Sequence, residues 1–186
     1  WEDYLSELPH HVSIYVHPKY PKQVSVPWMR ENIIPKLVPT SWGYLTEAFY
    51  QLLQVAINDQ ENEHFIFISD SCIPISKLST FYNYLKNHDS KVSFIHFKKE
   101  IDRYDWDKKI KKVPNYSNYE LRKHEGLGNC LSRHHAMYLI TKKRDFQRFF
   151  NQLNCGDEFY LSLIKEQQLI EDQQMTYYNW DYKDSL

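Results

Sequence analysis

Hydrophobic and polar positions along this chain switch between two periods, and the switches mark its elements. Val12-Ser-Ile-Tyr-Val16 alternates over β-prone residues and predicts a strand ending at His17-Pro18. Pro18, Pro21, Pro27, Pro35 and Pro39 then exclude a long helix, since each removes a backbone donor. From Leu45 the period lengthens. Leu45, Ala48, Phe49, Leu52, Leu53 and Ala56 fall on one face of an amphipathic helix. Phe65-Ile-Phe-Ile68 is a continuous apolar run, which predicts a strand covered on both faces. It empties into the polar turn Ser69-Asp-Ser-Cys-Ile-Pro74. A second helix is predicted over 77–87, a strand at Val92–Phe97, helices near 134–152 and 157–169, and a late strand at Met175–Trp180. Residues 98–125 are polar and irregular, long enough for a functional loop. Strands alternating with helices predict one α/β domain, a layered sandwich around a largely parallel sheet.

Composition narrows the classes. With 186 residues and 42% hydrophobic residues, the chain is long enough for a single buried core. A net charge of -1 argues against nucleic acid as a partner. The basic run Lys108–Lys112 reads as a solvated loop, and no apolar run has the length of a membrane span. Opening on Trp1 rather than Met suggests a fragment lacking N-terminal and C-terminal portions, so that membrane attachment would come only through a segment outside it. Cys72, Cys130 and Cys155 are too few and too widely spaced for a disulfide framework or a CxxC metal site, though one disulfide is compatible. The four glycines form no phosphate-binding loop. The aromatic content of 16% fits either a sugar-stacking surface or a low-GC composition.

Ligands of open α/β folds gather at the carboxyl ends of strands, where His17 and Asp70 fall. Asp70-Ser71-Cys72 carries a single carboxylate where a nucleotide-sugar enzyme often has a metal-binding DxD. Asp105-Trp106-Asp107 has the DxD spacing, but no apolar strand precedes it. The adjacent pairs His10-His11 and His134-His135 point to opposite faces and read as surface residues. Asp157 and Glu158 open the predicted 157–169 helix, where the macrodipole favours carboxylates and Asp157 would serve as a cap.

Asn62-Glu-His-Phe-Ile-Phe-Ile-Ser-Asp-Ser-Cys-Ile-Pro-Ile75 resembles a segment of the core-2/I-branching β-1,6-N-acetylglucosaminyltransferase-like proteins, glycosyltransferase family 14, especially the plant-type branch. Similar blocks follow the same order: Ser13–His17, Trp42-Gly43, Arg122-Lys123, Leu131–Ala136, Asp157–Leu161, and Thr176-Tyr177 with Trp180. The resemblance implies a GT-A-type fold and inverting transfer from a nucleotide sugar, UDP-linked by expectation, to a glycan acceptor. It also implies no obligatory metal and no cofactor beyond the donor. Glu158 maps onto the family's catalytic base. His17, Asp70, Arg122, Lys123 and Arg133 are the candidates for the donor side, and Asp157, Trp180 and Asp181 for the substrate rim. Basic groups that neutralise the leaving diphosphate are expected beyond Trp180, a region cut short at Leu186. Relatives carry Gly-Ser-x-Trp-Phe where this chain has Glu125–Cys130, so donor and acceptor specificity do not carry over. The expected location is the Golgi lumen as a type II membrane protein in a eukaryote, or the cytoplasm if the source is viral or bacterial. Asn115-Tyr-Ser117 is a glycosylation sequon, relevant only in a secretory lumen. A non-catalytic glycan-binding module, a nucleotide-sugar hydrolase or a nucleotidyltransferase are the alternatives.

Overall fold

The computed structural model describes residues 1–8, 11–98, 121–124, 127–153, 155–165, 167–173 and 175. Within them, short helices α1 (Glu2–Leu5) and α2 (Pro27–Glu31) precede the long helix α3 (Thr46–Ala56). Strand β1 (His64–Ile66), helix α4 (Leu78–Lys86) and strand β2 (Ser93–Phe94) follow. Strand β3 (Cys130–Ser132) runs directly into α5 (Arg133–Thr141), with α6 (Lys143–Arg148) and β4 (Ile170–Glu171) after it.

The sheet order is β1-β3-β2-β4. β3 is antiparallel to both β1 and β2, and only β2 and β4 run parallel. The described sheet is therefore mixed, not largely parallel. Two short strands escape the periodicity argument because two or three residues cannot display a period. The predicted strand at 12–16 reduces to one parallel bridge, in which Val16 N–H donates to Asn32 O at 2.8 Å and Ile34 N–H to Val16 O at 3.0 Å. Nor is the Phe65–Ile68 run covered on both faces. Phe65 and Phe67 point into the core, whereas Ile66 and Ile68 stay 36% and 45% exposed.

Helix α3 forms where its period placed it. Ala48, Phe49, Leu53 and Ala56 are buried, with Leu45 and Leu52 packed at the edge. The core it enters is aromatic. Phe49 stacks on Phe67 at 4.6 Å and meets Tyr160 edge-on at 6.0 Å, while Phe146 approaches both Tyr50 and Tyr160. Eight of the ten Phe are buried, so phenylalanine goes chiefly to the core.

The segment read as a helix over 157–169 is instead two tight 3₁₀ turns, Gly156–Glu158 and Tyr160–Ile164. Its amides bond three residues back: Glu158 to Cys155, Phe159 to Gly156, Ser162 to Phe159. The physical reason is crowding on both sides of the turn, described below. The late strand expected at 175–180 lies, beyond Met175, outside the described residues, as do Asp105, Asp107 and the Asn115 sequon. Cys72, Cys130 and Cys155 are all free thiols.

Candidate active site

The Asp157-Glu158 turn is fixed by main-chain contacts on two sides. On one side Cys155 N–H donates to Gly43 O at 2.6 Å, and Cys155 itself takes the left-handed φ of 56°. Gly156 then packs against the chain so closely that an added Cβ would lie 2.0 Å from Phe150 O and 2.9 Å from Thr46 Oγ1. Only a residue without a side chain fits there. Thr46, the first residue of α3, is fully buried.

On the other side the turn is stitched to residues 121–124. His124 N–H donates to Glu158 O at 2.8 Å, and Arg122 N–H to Ser162 Oγ at 2.8 Å, whose hydroxyl returns a bond to Arg122 O at 2.9 Å. The buried His124 ring accepts the Leu161 amide at Nε2, 3.2 Å away. Lys123 O, in turn, receives the Lys98 amide at 2.8 Å. The result brings two distant sequence blocks together at side-chain level. Lys123 Nζ lies 2.8 Å from Glu158 Oε2, with both side chains about three-quarters buried.

The adjacent carboxylates occupy different environments. Asp157 is buried, and its Oδ1 has no hydrogen-bond partner among the described residues. Burial pushes its carboxyl up to about 6, with the Glu158 charge adding to the rise against a lowering bond from its own backbone amide. The turn records no side-chain cap, so the capping role expected of Asp157 is not what the structure shows. Glu158 reaches further into solvent and holds a cation. Two neighbouring carboxyls with unlike surroundings are how a fold divides roles between acids.

The raised Asp157 carboxyl carries a stability consequence. Between its unfolded value near 3.8 and its folded value near 6, the native state binds more protons than the unfolded chain. Stability contributed by this group is thus fully present below about pH 4 and is lost as pH rises past 6. Asp157→Asn keeps the shape and removes the charge. It is expected to be more stable than the unsubstituted protein at pH 7.5, by on the order of 2–3 kcal/mol, and level with it at pH 4. Paired thermal melts across that range check this, and a variant less stable at pH 7.5 would show that the charge is compensated.

The remaining candidates separate. Asp70 is exposed in the turn after β1, where Cys72 N–H closes onto Ser69 O at 3.1 Å. His17 is half-buried, its Nε2 accepting the Val38 amide at 3.0 Å. Burial lowers its pKa, so at neutral pH the ring is uncharged and cannot neutralise a diphosphate. Arg133 is occupied elsewhere. Its guanidinium donates to Ile57 O, Asp59 O and Asn62 O at 2.7–3.1 Å, closing the carbonyl end of α3 and the turn that follows. This places Arg133 in a structural role in place of the phosphate contact expected of it. Trp180 and Asp181 lie outside the described residues. The His134-His135 pair does split between faces, but His135 is not a surface residue. It is fully buried, its Nδ1 2.7 Å from Ser93 Oγ and its Nε2 3.0 Å from Gln168 O.

Sequence reasoning gave no structural role to the parts that hold the site: Gly43, Thr46, His124, Gly156 and Ser162. A signal existed for the two glycines, since each of the chain's few glycines demands a reason and these flank the Trp42 and Asp157 blocks. None existed for Ser162, whose partner is a main-chain group 40 residues away.

The family model of Core-2/I-Branching enzymes matches residues 1–185. Among curated proteins, Glycosyltransferase BC10 of rice (Oryza sativa subsp. japonica) is 38% identical over 60 residues, covering 31% of this chain and 14% of that protein. The match thus spans well under two thirds of the relative's length. No helix among the described residues is long and apolar enough to cross a membrane. With a family match running through nearly every residue, the chain belongs to the Core-2/I-branching enzyme family of glycosyltransferases.

Proposed function

We propose that this domain transfers a sugar, with inversion, from a nucleotide-sugar donor to a hydroxyl of a glycan acceptor, using Glu158 as general base. The observation that carries the reading is the Glu158–Lys123 pair on a main-chain-clamped turn. Inverting transfer needs one carboxylate to take the proton of the attacking hydroxyl as the acceptor oxygen bonds the anomeric carbon and the diphosphate leaves. It also needs positive charge near the leaving group, which departs from the face opposite the base; Arg122, exposed on the segment stitched to this turn, is the candidate for it, while Lys123 orients the base. A rigid turn suits both demands, because a base displaced by about 1 Å loses on the order of 10²-fold in rate.

The donor is a UDP-sugar on this reading, Asp70 lies on the donor side, and Asp157 backs the base from within the core. Trp180 and Asp181 are assigned to the substrate rim by sequence order alone. In a eukaryotic cell the domain would work in the Golgi lumen, tethered through a segment outside this chain; from a viral or bacterial source it would be cytoplasmic.

Metal independence is part of the proposal, resting on the lone carboxylate of Asp70-Ser71-Cys72. Calorimetric titration with a panel of UDP-sugars, with and without EDTA, is expected to give one donor whose affinity is unchanged by chelation. Affinity that collapses with EDTA and returns with manganese overturns this part. Transfer and donor hydrolysis measured on the same preparation separate the enzyme from its alternatives: transfer well above hydrolysis supports it, and hydrolysis alone or neither defeats it.

A further inference from the structure

His124 holds the Asp157-Glu158 turn twice, once with its main chain and once with its ring. Its N–H donates to Glu158 O at 2.8 Å, and its Nε2 receives the Leu161 N–H at 3.2 Å. One residue therefore spans the joint between the two 3₁₀ turns, Gly156–Glu158 and Tyr160–Ile164. The residue is fully buried. Tyr160 meets the ring edge-on at 5.2 Å and Phe97 at 6.2 Å, and Phe97 also bridges the His124 main chain.

A main-chain amide can only donate, so the Leu161 contact fixes the chemistry of the ring. Nε2 must offer a bare lone pair, and a neutral imidazole then carries its one proton on Nδ1. Asn129 Nδ2 lies 3.3 Å from Nδ1, and a half-turn of that amide presents its oxygen to the Nδ1 proton. An imidazolium has a proton on both nitrogens. Its Nε2–H would face the Leu161 N–H, two donors with no acceptor between them in a buried place. The two would have to part, and the turn would shift with them. The turn itself contributes Asp157, Glu158 and Tyr160 as ionisable neighbours, and the 121–124 segment contributes Lys123, already paired with Glu158. Beside Phe97 stand Lys98 and His96, the latter 2.7 Å from Asp172, and beside Asn129 stands Cys130, whose thiol burial keeps protonated. Carboxyls and a second imidazole in this set also gain protons in acid, so the His124 ring has to be observed directly.

We propose that His124 is the positioning residue for the base: its neutral ring grips Leu161 while its main chain grips Glu158, and a proton added at Nε2 releases the turn and stops transfer. This rests on the reading of Glu158 as the base and extends it to a residue that acts through the turn. Rate would then follow the charge of a buried ring, because a base moved by about 1 Å loses on the order of 10²-fold.

The test uses the full chain with two variants. His124→Gln places an amide oxygen near the position of Nε2 and does not titrate, whereas His124→Phe keeps the ring contacts and has no acceptor. NMR of ¹⁵N-histidine reads the tautomer without turnover, the His124 signals being those lost in His124→Gln. A bare Nε2 is expected at pH 7.5, and a proton on it there overturns the proposal. At saturating donor and acceptor, His124→Phe should lower kcat about tenfold or more with both KM values unchanged, and His124→Gln should recover most of that loss. In the unsubstituted protein kcat should fall with the midpoint at which the His124 ring gains its proton, and this limb should be absent from His124→Gln. An identical acid limb in both proteins, a normal kcat in His124→Phe, or a ring that stays neutral until the protein unfolds overturns the proposal. Protection of the Leu161 amide against hydrogen exchange should be lost at the same midpoint. That loss is measurable in a protein that transfers nothing, so a failed transferase reading and a failed clamp give different results.

Discussion

Glu158→Gln is expected to lower transfer by roughly 10²-fold or more while leaving donor affinity and Tm almost untouched. Glutamine keeps the length and the hydrogen-bonding outline of the side chain but cannot take a proton from the acceptor hydroxyl. The substitution also removes the charge from the 2.8 Å pair with Lys123, whose two side chains are each about three-quarters buried. The amide oxygen of glutamine can still accept from the Lys123 ammonium, so the exchange costs on the order of 1 kcal/mol. The turn itself is held by main-chain bonds from Cys155 and His124 that do not involve the Glu158 side chain. A large loss of rate without a loss of stability is thus the mark of a base and not of a structural residue. Turnover at saturating donor and acceptor, on the full-length protein, makes the comparison. If the variant works at more than about a third of the normal rate, against the 10²-fold range expected of a positioned base, then Glu158 is only an ion-pair partner and Asp70 becomes the first residue to examine.

What the sequence disclosed follows from the range of each signal. The α3 stripe was legible because six apolar positions repeat at helical spacing, and burial of Phe49 and Leu53 follows from that alone. The ends of the site were legible too: Arg122-Lys123 and Asp157-Glu158 were singled out separately, and the structure joins them at one ion pair. Their joining was not legible, since it depends on Ser162 and His124 bonding main-chain groups far away in sequence. The failures share a cause. Phe65–Ile68 looked doubly buried because hydrophobicity reports what a residue tolerates, not what covers it, and Ile66 and Ile68 remain half out. The 157–169 segment carried helical spacing, yet tertiary contacts at Gly156 and at residues 122–124 overrode it. Arg133 looked like a phosphate ligand because charge is visible in sequence, while the orphan carbonyls at the end of α3 that claim it are not.

Gly156→Ala should then be severely damaging for so small a change. Its Cβ would stand 2.0 Å from Phe150 O and 3.0 Å from Phe150 C, and both obstacles are main chain, which cannot rotate aside as a side chain would. Thr46 Oγ1, at 2.9 Å, closes the remaining direction from a fully buried position. Relief requires the Cys155–Glu158 turn to move away from 150–152, which strains the 2.6 Å bond from Cys155 to Gly43 and the bond from His124 to Glu158. Overpacking of this kind costs about 3 kcal/mol or more, which for a chain of this size lowers Tm by roughly 6–12 °C. Transfer should fall further than stability, because the same movement carries Glu158 off its position and a shift of about 1 Å costs on the order of 10²-fold. Urea or thermal melts, with transfer measured well below the variant's own Tm, separate the two effects. Rate loss in a folded protein that still binds donor would locate the damage at the turn. A variant within about 1 kcal/mol of the unsubstituted protein, less than overpacking costs, and turning over normally would mean that the turn is not held against Phe150 in solution, and with it the fixed geometry assigned to Glu158 would go.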